Sequence, residues 1–590
     1  MPRDSDKTGL VTAGGALFGK LKALGVDYVF ANSGTDFPPI IEGLIEARNK
    51  GIDLPQAVTV PHEHVAVSMA HGYYLVSGRA QAVMLHTNVG LSNGATGAIN
   101  AACDQIPMFL MSGRTPVAEG GRFGARTVPI GWGQEMYDQA ALVREACKWD
   151  YELRFPDQVA SVLDRGWSIA NSTPKGPVYL SLPREVLCES CPPDGLDAPT
   201  RMSPARMAPD GQALAAAAAA LAGAENPLII AQRGAGSNEA FNALSNFVED
   251  WAIPLSHYWA NQIAIPMSNP SHVGWVPDDL LRTADVVLVI NALAPWWPDR
   301  ITPDPEATVI QLGPDPLFAR SSPMRSFRSD ITLAGDTEAG VLALIRAVGR
   351  RPQDCDRIMK RRSRIRAISE AERARTRKRA RSGRRSPMSK DWISHCLGRA
   401  VHGRKASVFH ELGCPLPPLE LDDHLSYFQE PHSGGLGWGL PAAMGAQLAD
   451  PDRLVFATLG DGSYMFANPT ACHQVCEALG LPVITLVMNN EEWGAVRHSV
   501  EELYKGGLTS RTNDVPLTSL RPSPDFAKTA EASRAHTETV FDGNELPAAL
   551  ERAIRVATEE GRQTLLNIAI ERTDPHPNGG TRNEDKRRKS

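Results

Sequence analysis

The sequence lacks long hydrophobic runs, a strong net charge and a paired set of cysteines. No apolar stretch approaches the roughly 18 residues that a membrane-spanning helix needs, and residues 1–10 show no hydrophobic region of a signal peptide. A net charge of −6 over 590 residues gives no general argument for binding nucleic acid or a membrane. Nine cysteines, an odd number, fit a reducing compartment better than a disulfide framework. We therefore expect a cytoplasmic protein with neither nucleic acid nor a membrane as its partner.

The length and the hydrophobic pattern predict three α/β domains. A chain of 590 residues exceeds one core, because domains usually hold about 100–200 residues. Short apolar strands alternate with helical patterns throughout, which is typical of doubly wound parallel sheets covered by helices. The predicted order is a first domain at 1–187, a linker at 188–209, a Rossmann-like middle domain at 210–348, a basic linker helix at 349–387, a third domain at 388–573 and a C-terminal tail or lid at 574–590.

An aspartate between two glycines ends one of the apolar strands. The stretch LVFATLGDGSYMF runs directly into Gly460, Asp461 and Gly462. Open α/β sheets place ligands at the carboxyl ends of their strands, and glycines let the backbone approach a ligand closely. Ser463 adds a hydroxyl, and the next strand ends in Asn490. An Asp carboxylate and an Asn carbonyl are hard oxygen ligands, so the pattern predicts Mg²⁺ or Ca²⁺ bridging to phosphate oxygens.

This stretch resembles the diphosphate-binding motif of thiamine diphosphate-dependent enzymes, which runs from Gly-Asp-Gly to Asn-Asn. The resemblance implies thiamine diphosphate and Mg²⁺ as cofactors, with Asp461 and Asn490 binding the metal through side-chain oxygens and Glu492 through its backbone carbonyl. Ser463 would meet a phosphate. The resemblance covers nearly the whole chain, in the order pyrimidine-binding, middle and diphosphate-binding domain. It also implies a homodimer or homotetramer with active sites at the subunit interface.

A glutamate in the first domain supplies the second part of the resemblance. Thiamine diphosphate must lose a proton from its thiazolium ring, and its own aminopyrimidine removes that proton when a carboxylic acid hydrogen-bonds the ring nitrogen. The stretch AVTVPHEHVAVSMAHG provides Glu63 for this role, among valines that favour a shared proton. The stretch HSGGLGWGLPAAMGAQ resembles the Gly-Gly-Leu-Gly segment of the family. It implies that Leu436 is the wedge that bends the cofactor and that the Gly434 carbonyl accepts from the cofactor's amino group.

Three side chains resemble groups that act on substrates in this superfamily. His86 in VMLHTNVGLSNG and Thr35 in ANSGTDFPP follow the pattern of benzoylformate decarboxylase, in which a histidine and a hydroxyl serve the substrate. Gln134 in WGQEMYDQAAL resembles the pocket glutamine of acetolactate synthases and acyl-CoA lyases. Without the resemblance, His86 is an ordinary strand-end histidine and Gln134 an ordinary surface residue.

An acidic pair and a basic segment bear on the choice of substrate. Glu491 and Glu492 in NNEEWGAVR stand where many related decarboxylases carry small residues, and they suggest a proton relay like that of bacterial 2-hydroxyacyl-CoA lyases. The basic segment and Arg233 offer cations to an acyl-CoA thioester or an ADP nucleotide. A solvated basic helix explains the same charges. FAD is the less favoured nucleotide but stays open.

Three functions remain open from the sequence. The first is a 2-hydroxyacyl-CoA lyase that cleaves its substrate to formyl-CoA and an aldehyde or ketone, and this is the expectation that the acidic pair favours. The second is a 2-oxo acid decarboxylase or carboligase of the benzoylformate decarboxylase or acetolactate synthase type. The third is a catalytically silent protein with the same fold that binds a nucleotide or regulates, which the presence of Glu63, Asp461 and Asn490 argues against.

Overall fold

The computed structural model describes residues 11–319, 322–512 and 515–572. The predicted tail or lid at 574–590 therefore lies outside the described residues. The chain forms two compact units. Unit 1 holds the chain up to Arg206 together with Pro431–Pro451, and unit 2 holds Met207–Glu430 and the chain from Asp452 onward. None of the described helices is long and apolar enough to cross a membrane.

Unit 1 is built on a six-stranded parallel sheet. Its strands run in the order β3-β2-β4-β5-β7-β6, and β1 and β8 form a separate antiparallel pair. The strands are β1 (Val11–Thr12), β2 (Tyr28–Ala31), β3 (Gln56–Thr59), β4 (Gln81–Leu85), β5 (Met108–Arg114), β6 (Asp150–Glu152), β7 (Val178–Pro183) and β8 (Ser190–Cys191). The helices are α1 (Ala13–Ala23), α2 (Pro38–Asn49), α3 (Glu63–Ser77), α4 (Thr87–Cys103), α5 (Ile130–Gly133), α6 (Val159–Asn171) and α7 (Arg184–Leu187). Every residue of β4 and β7 is buried, as expected for strands covered on both faces.

The middle part of the chain carries a five-stranded parallel sheet in unit 2. Its strands run in the order β10-β9-β11-β12-β13. The strands are β9 (Pro227–Ala231), β10 (Leu255–Ser256), β11 (Val286–Ile290), β12 (Thr308–Gly313) and β13 (Ile331–Ala334), and the helices are α8 (Gly211–Gly223), α9 (Asn238–Asp250), α10 (Asp278–Leu281) and α11 (Thr337–Gly349). Asp210 begins α8 by accepting from two backbone amides, each at 2.9 Å, so the polar residue before the alanine run acts as its N-cap.

The basic segment forms a single helix, α12 (Cys355–Ser382), of 28 residues. Several of its arginines bind backbone carbonyls at the ends of neighbouring helices. Arg357 donates to the carbonyls of Ala222 and Gly223 at 2.9 Å each, where α8 ends. Arg362 donates to the carbonyls of Glu249 and Asp250 at 3.1 Å each, where α9 ends. Since the last carbonyls of a helix lack internal partners and carry partial negative charge, these arginines cap α8 and α9.

The third sheet, also in unit 2, repeats the layout of the first. Its order is β15-β14-β16-β17-β19-β18, and all its strands are parallel. The strands are β14 (Ala406–Glu411), β15 (Tyr427–Gln429), β16 (Leu454–Gly460), β17 (Ile484–Asn489), β18 (His536–Val540) and β19 (Thr564–Ala569). The helices are α13 (Lys390–Val401), α14 (Gly439–Ala449), α15 (Asp461–Phe466), α16 (Pro469–Leu479), α17 (Gly494–Leu503), α18 (Phe526–Glu531) and α19 (Leu546–Glu559). Numbered along each chain segment, both six-stranded sheets have the order 2-1-3-4-6-5.

Helix α14 belongs to unit 1, because it packs closely on α3. Two glycines make this approach possible. A Cβ on Gly72 would stand 1.9 Å from the Ala442 carbonyl oxygen, and one on Gly445 would stand 1.9 Å from the Met69 carbonyl oxygen. Any side chain at either position would force the helices apart. The segment with the Gly-Gly-Leu-Gly motif is thereby fixed to the helix that begins at Glu63.

Candidate active site

The predicted substrate residues of unit 1 lie at the carboxyl edge of its sheet. Strand β2 lies between β3 and β4, and the chain order reverses between β2 and β4. Parallel sheets form a ligand crevice at such a reversal. Thr35 follows β2, Glu63 follows β3, His86 follows β4, and Gln134 lies in the long connection after β5. Four adjacent strands thus deliver residues that are far apart in sequence to one edge.

Glu63 is the first residue of α3 and is buried. Its Oε2 accepts from Nδ2 of Asn93 at 3.2 Å. A Cβ on Gly90 would stand 3.1 Å from Oε1, so the glycine leaves the other carboxylate oxygen its space. A carboxyl group held in this way at the sheet edge fits the predicted partner of a ring nitrogen.

His86 is held between two polar side chains. Its Nδ1 contacts Oδ1 of Asp36, and its Nε2 lies 3.0 Å from Nε2 of Gln134. The hydrogen bond that Asp36 accepts raises the pKa of His86 above its usual value, burial opposes this, and the charges of Asp36 and Glu63 add to the increase. The structure therefore brings His86 and Gln134 into contact, with the Asp36 carboxylate as the charged partner of His86.

Asp36 is the residue that the sequence analysis missed. It directly follows Thr35, and it is 4% exposed. Thr35 itself is exposed, and its backbone carbonyl accepts from Arg184 at 3.4 Å. An aspartate directly after a Gly-Thr turn at a strand end was the available signal, because such a carboxylate faces the side chains that follow the adjacent strand.

The Gly-Gly-Leu-Gly turn is tied to α4. Asn100 Nδ2 donates to the Gly435 carbonyl at 2.8 Å, and Ser433 donates its hydroxyl to Asn100 Oδ1 at 2.7 Å. Gly434 has a φ of +72°, which glycine adopts without strain. Leu436 is half-buried, which leaves part of its side chain available to a ligand. The assignments of Leu436 as wedge and of Gly434 as acceptor remain predictions.

Helix α4 connects this turn with Glu63. Asn93 binds Glu63, and Asn100 binds the turn at Gly435. Seven residues correspond to two helical turns on one face, or about 10 Å. One face of α4 therefore holds both the predicted pyrimidine partner and the predicted wedge segment.

The predicted metal ligands of unit 2 lie at the carboxyl edge of the third sheet. Asp461 follows β16, beside the chain reversal between β14 and β16, and Asn490 follows the neighbouring strand β17. The Asp461 carboxylate accepts from the amides of Gly462 at 2.9 Å and Glu491 at 2.7 Å. Burial raises the pKa of Asp461 to about 6, against the effect of these amide donors.

The same edge contains a buried hydroxyl without a partner among the described residues. This is Oγ of Ser463, two residues after Asp461. Asn490 Oδ1 accepts from the amide of Glu492 at 3.2 Å and keeps a free lone pair. A hydroxyl donor beside two hard oxygen acceptors fits a diphosphate held through a divalent cation. The roles of Asp461, Asn490 and Ser463, together with the framing Gly460 and Gly462, remain predictions at residue level.

The acidic pair next to Asn490 is bound by arginines. Glu491 Oε2 accepts from Arg521 at 2.6 Å and from Arg572 at 3.3 Å. Glu492 is buried, and its Oε1 accepts from Arg497 at 2.8 Å. These contacts tie both glutamates to arginines of other segments, so this geometry favours a role in fixing the loop. The Glu492 carbonyl, the predicted third metal ligand, also accepts from the Gly494 amide at 2.8 Å.

Three segments match the parts of one enzyme family. Residues 11–142 match the N-terminal binding domain of thiamine pyrophosphate enzymes, 214–344 their central domain, and 418–568 their C-terminal binding domain.

Similar proteins include a probable 2-ketoarginine decarboxylase from Pseudomonas aeruginosa, 27% identical over 96% of this chain and 95% of that protein. A sulfoacetaldehyde acetyltransferase from Rhodobacter capsulatus is 27% identical over 93% of this chain and 92% of that protein. Benzoylformate decarboxylase from P. aeruginosa is 25% identical over 94% and 98%.

A solved structure has a similar fold. The solved structure of a 4-hydroxybenzoylformate decarboxylase from Rhodococcus jostii superimposes with a TM-score of 0.75 and 22% identity, over 95% of this chain and 99% of that one. The three matched segments, the repeated sheet order and the residues at both sheet edges lead to one conclusion. The chain belongs to the superfamily of thiamine diphosphate-dependent enzymes, in the group that contains decarboxylases and acetolactate synthases.

Proposed function

We propose that this enzyme decarboxylates a 2-oxo acid to an aldehyde. The observation that carries the proposal is the set of His86, Asp36 and Gln134 at the sheet edge that also presents Glu63. When bound, thiamine diphosphate supplies an electron sink beside a substrate carbonyl, which makes loss of CO₂ feasible. The reaction then needs one proton at the carbon that CO₂ has left, and a histidine is the side chain best suited to deliver it near neutral pH.

Each residue has a defined task in this proposal. Glu63 holds a proton at the pyrimidine nitrogen of the cofactor. His86 carries a proton on Nε2 to the carbon that CO₂ leaves, and Gln134 orients that nitrogen. Thr35 offers its hydroxyl to the substrate carboxylate. The overall balance is one 2-oxo acid anion and one proton consumed, with one aldehyde and one CO₂ formed.

Four residues of unit 2 bind the metal and the diphosphate in this proposal. Asp461 and Asn490 bind Mg²⁺, the metal that hard oxygen donors suit, and Ser463 donates its hydroxyl to a phosphate oxygen. Glu492 adds its backbone carbonyl. The family resemblance implies active sites between subunits, and on that ground we further propose a homodimer or homotetramer. Light scattering of the purified protein measures that state directly.

The names of the similar proteins support decarboxylation. Two of them are decarboxylases of 2-oxo acids, one probable, and others are acetolactate synthases. A carboligase activity is therefore proposed as a side reaction of the same site, in which the carbon that CO₂ has left bonds to a second carbonyl carbon and the proton goes to the oxygen of that carbonyl. A product assay with several 2-oxo acids identifies the preferred substrate.

The expectation of a 2-hydroxyacyl-CoA lyase stays a competing proposal, and two sets of contacts favour the decarboxylase over it. Glu491 and Glu492, which suggested a proton relay, are paired with arginines. The arginines offered for CoA are partly used as helix caps, because Arg357 and Arg362 bind backbone carbonyls. The predicted lid at 574–590 lies outside the described residues. Acyl-CoA cleavage therefore enters the test as the competing outcome.

One assay separates these functions. The purified enzyme, supplied with thiamine diphosphate and Mg²⁺, is incubated separately with pyruvate, benzoylformate, 2-ketoarginine and a 2-hydroxyacyl-CoA, and products are identified by mass spectrometry. We expect an aldehyde and CO₂ from at least one free 2-oxo acid. Formyl-CoA from the thioester, with no turnover of the free acids, would replace the proposal with the lyase. Cofactor binding without any turnover would favour the non-catalytic alternative.

A further inference from the structure

We propose that Asp36 is a positioning residue for His86: it fixes the proton on Nδ1, aims Nε2 at the substrate and stabilises the protonated imidazole. The inference rests on the proposed function, because it assigns His86 the proton that replaces CO₂. It extends that function to a residue that does not touch the substrate.

The Asp36 carboxylate is oriented by two contacts. Oδ1 contacts Nδ1 of His86, and Oδ2 accepts from the backbone amide of Thr87 at 3.3 Å. Asp36 is 4% exposed, whereas the His86 side chain is 18% exposed. The carboxylate is therefore more deeply buried than the imidazole that it contacts.

Two glycines provide the space for this pair. A Cβ on Gly34 would stand 2.1 Å from Nδ1 of His86. A Cβ on Gly113, in β5, would stand 1.5 Å from Oδ2 of Asp36. Real Cβ atoms do not approach other atoms so closely, so a side chain at either position would displace one member of the pair. The Asp36–His86 contact therefore depends on the absence of a side chain at both Gly34 and Gly113.

The contact determines which nitrogen of His86 can act. A carboxylate only accepts hydrogen bonds, so Nδ1 of His86 must carry the hydrogen that it donates to Asp36. In the neutral imidazole, Nε2 then accepts from the Gln134 amide, which lies 3.0 Å away. In the protonated imidazole, Nε2 donates, and Gln134 can meet it with its carbonyl oxygen after the amide turns over. The active nitrogen is therefore Nε2 in both protonation states.

The charged groups around His86 all shift its pKa in the same direction. Asp36 faces it from the β2–α2 connection and Glu63 from α3, and both raise its pKa, while burial lowers it. Gln134 is neutral. Because the folded-state pKa is raised, the imidazolium persists to higher pH than in a free histidine, and it is lost as pH rises through that pKa. Without Asp36, Glu63 would be the one remaining group of these two that raises the pKa of His86 against the effect of burial.

The first measurement reads His86 without any catalysis. Diethyl pyrocarbonate modifies neutral imidazoles, and mass spectrometry of the peptide that contains His86 gives its modification rate across pH. We expect Asp36→Asn to move the midpoint for His86 to lower pH by about one unit, which is a tenfold change in proton affinity. Asp104→Asn is the matched control, because Asp104 lies 3.7 Å from the different buried imidazole of His71. It should leave the His86 midpoint unchanged.

The second measurement reads the same residue in turnover. With the 2-oxo acid found in the product assay, kcat/KM should fall at high pH as His86 loses its proton. Asp36→Asn should move this alkaline limb to lower pH by the same amount as the chemical midpoint, while the Kd for thiamine diphosphate stays the same. A merely structural loss would lower activity at every pH without moving the limb.

The outcomes separate the two proposals. An unchanged His86 midpoint in Asp36→Asn would overturn the role of Asp36, whether or not the enzyme is a decarboxylase. A shifted midpoint in a protein that turns over no 2-oxo acid would leave Asp36 as the partner of His86 and overturn the proposed function. If Asp36→Asn does not fold, Asp36→Ser removes the carboxylate with a smaller side chain, and its midpoint decides the question by the same criterion.

Discussion

Arg361 offers the sharpest test of what the basic helix α12 does. Its guanidinium donates to the carbonyls of Ala252 at 2.7 Å and Ala224 at 2.9 Å, and it also contacts the carbonyl of Trp251. The residue is buried, and burial lowers its pKa to about 10, so it stays protonated at neutral pH. We predict that Arg361→Met destabilises the middle part of the chain, where these carbonyls follow α8 and α9.

The size of the effect follows from the carbonyls that lose their donor. Each buried carbonyl without a partner costs about 1–3 kcal/mol, and three of them would cost about 6 kcal/mol. Methionine needs no hydrogen bonds and retains most of the buried volume, which returns part of this cost. A net loss of about 3 kcal/mol follows. For a cooperative region of roughly 150–250 residues, this lowers Tm by about 6–12 °C.

Differential scanning calorimetry measures this loss, and Arg366→Met is its matched control. Arg366 lies on the same helix but is exposed, and it pairs only loosely with Glu370 at 3.7 Å. Exposed pairs of this kind contribute less than about 1 kcal/mol, so Tm should hardly change. Equal effects of the two substitutions, or an unchanged Tm for Arg361→Met, would refute the capping role. A loss of affinity for CoA in Arg366→Met would instead support an anion-binding surface.

Three further substitutions test the site. Glu63→Gln should reduce turnover by about 10²–10⁴-fold with the cofactor still bound, and preserved turnover would exclude Glu63 as the proton partner. Ser463→Ala removes one hydrogen bond to a charged group and should raise the Kd for thiamine diphosphate about tenfold, measured by fluorescence quenching; an unchanged Kd would remove Ser463 from the diphosphate site. Gly113→Ala should lower kcat, because its Cβ would reach within 1.5 Å of Oδ2 of Asp36. Gly120→Ala, with open space around it, should not change kcat, and equal losses in both variants would contradict the reasoning.

The parallel sheets and their edge residues were predictable because their signals are local. Strands buried on both faces are continuous apolar runs, and the run VVLVI became β11 with every residue buried. The fold class of three parallel-sheet α/β domains is confirmed. The placement of Glu63 and Asp461 at strand ends was also local, since Asp461 follows β16 directly and Glu63 follows β3 after one short turn.

The assignment of Pro431–Pro451 to unit 1 could not be predicted, because it depends on packing between distant segments. Gly72 and Gly445 allow α3 and α14 to approach, but each glycine reads locally as a weak helix residue. The two arginines of α12 show the same limit. Arg361 and Arg366 stand in the same basic run, and only the positions of neighbouring helix ends decide that one is buried and the other solvated.

The Asp36–His86 contact failed to emerge from the sequence for a related reason. The two residues are 50 apart, and their contact depends on β2 and β4 being neighbours. Strand order is a property of the whole sheet. The residues on either side of the chain reversal become candidates for a pair only when that order is known.

The two six-stranded sheets have the same strand order, but the aspartates at their carboxyl edges have different partners. In the third sheet, both oxygens of Asp461 accept from backbone amides, which fix its orientation and leave lone pairs for a cation. In the first sheet, one oxygen of Asp36 faces the imidazole of His86. A carboxylate surrounded by amides holds charge in place, whereas one paired with an imidazole allows a proton to move. In the proposed function, the same sheet layout therefore binds the charged end of a cofactor in one domain and supports proton transfer in the other. The difference lies in the partners of Asp461 and Asp36.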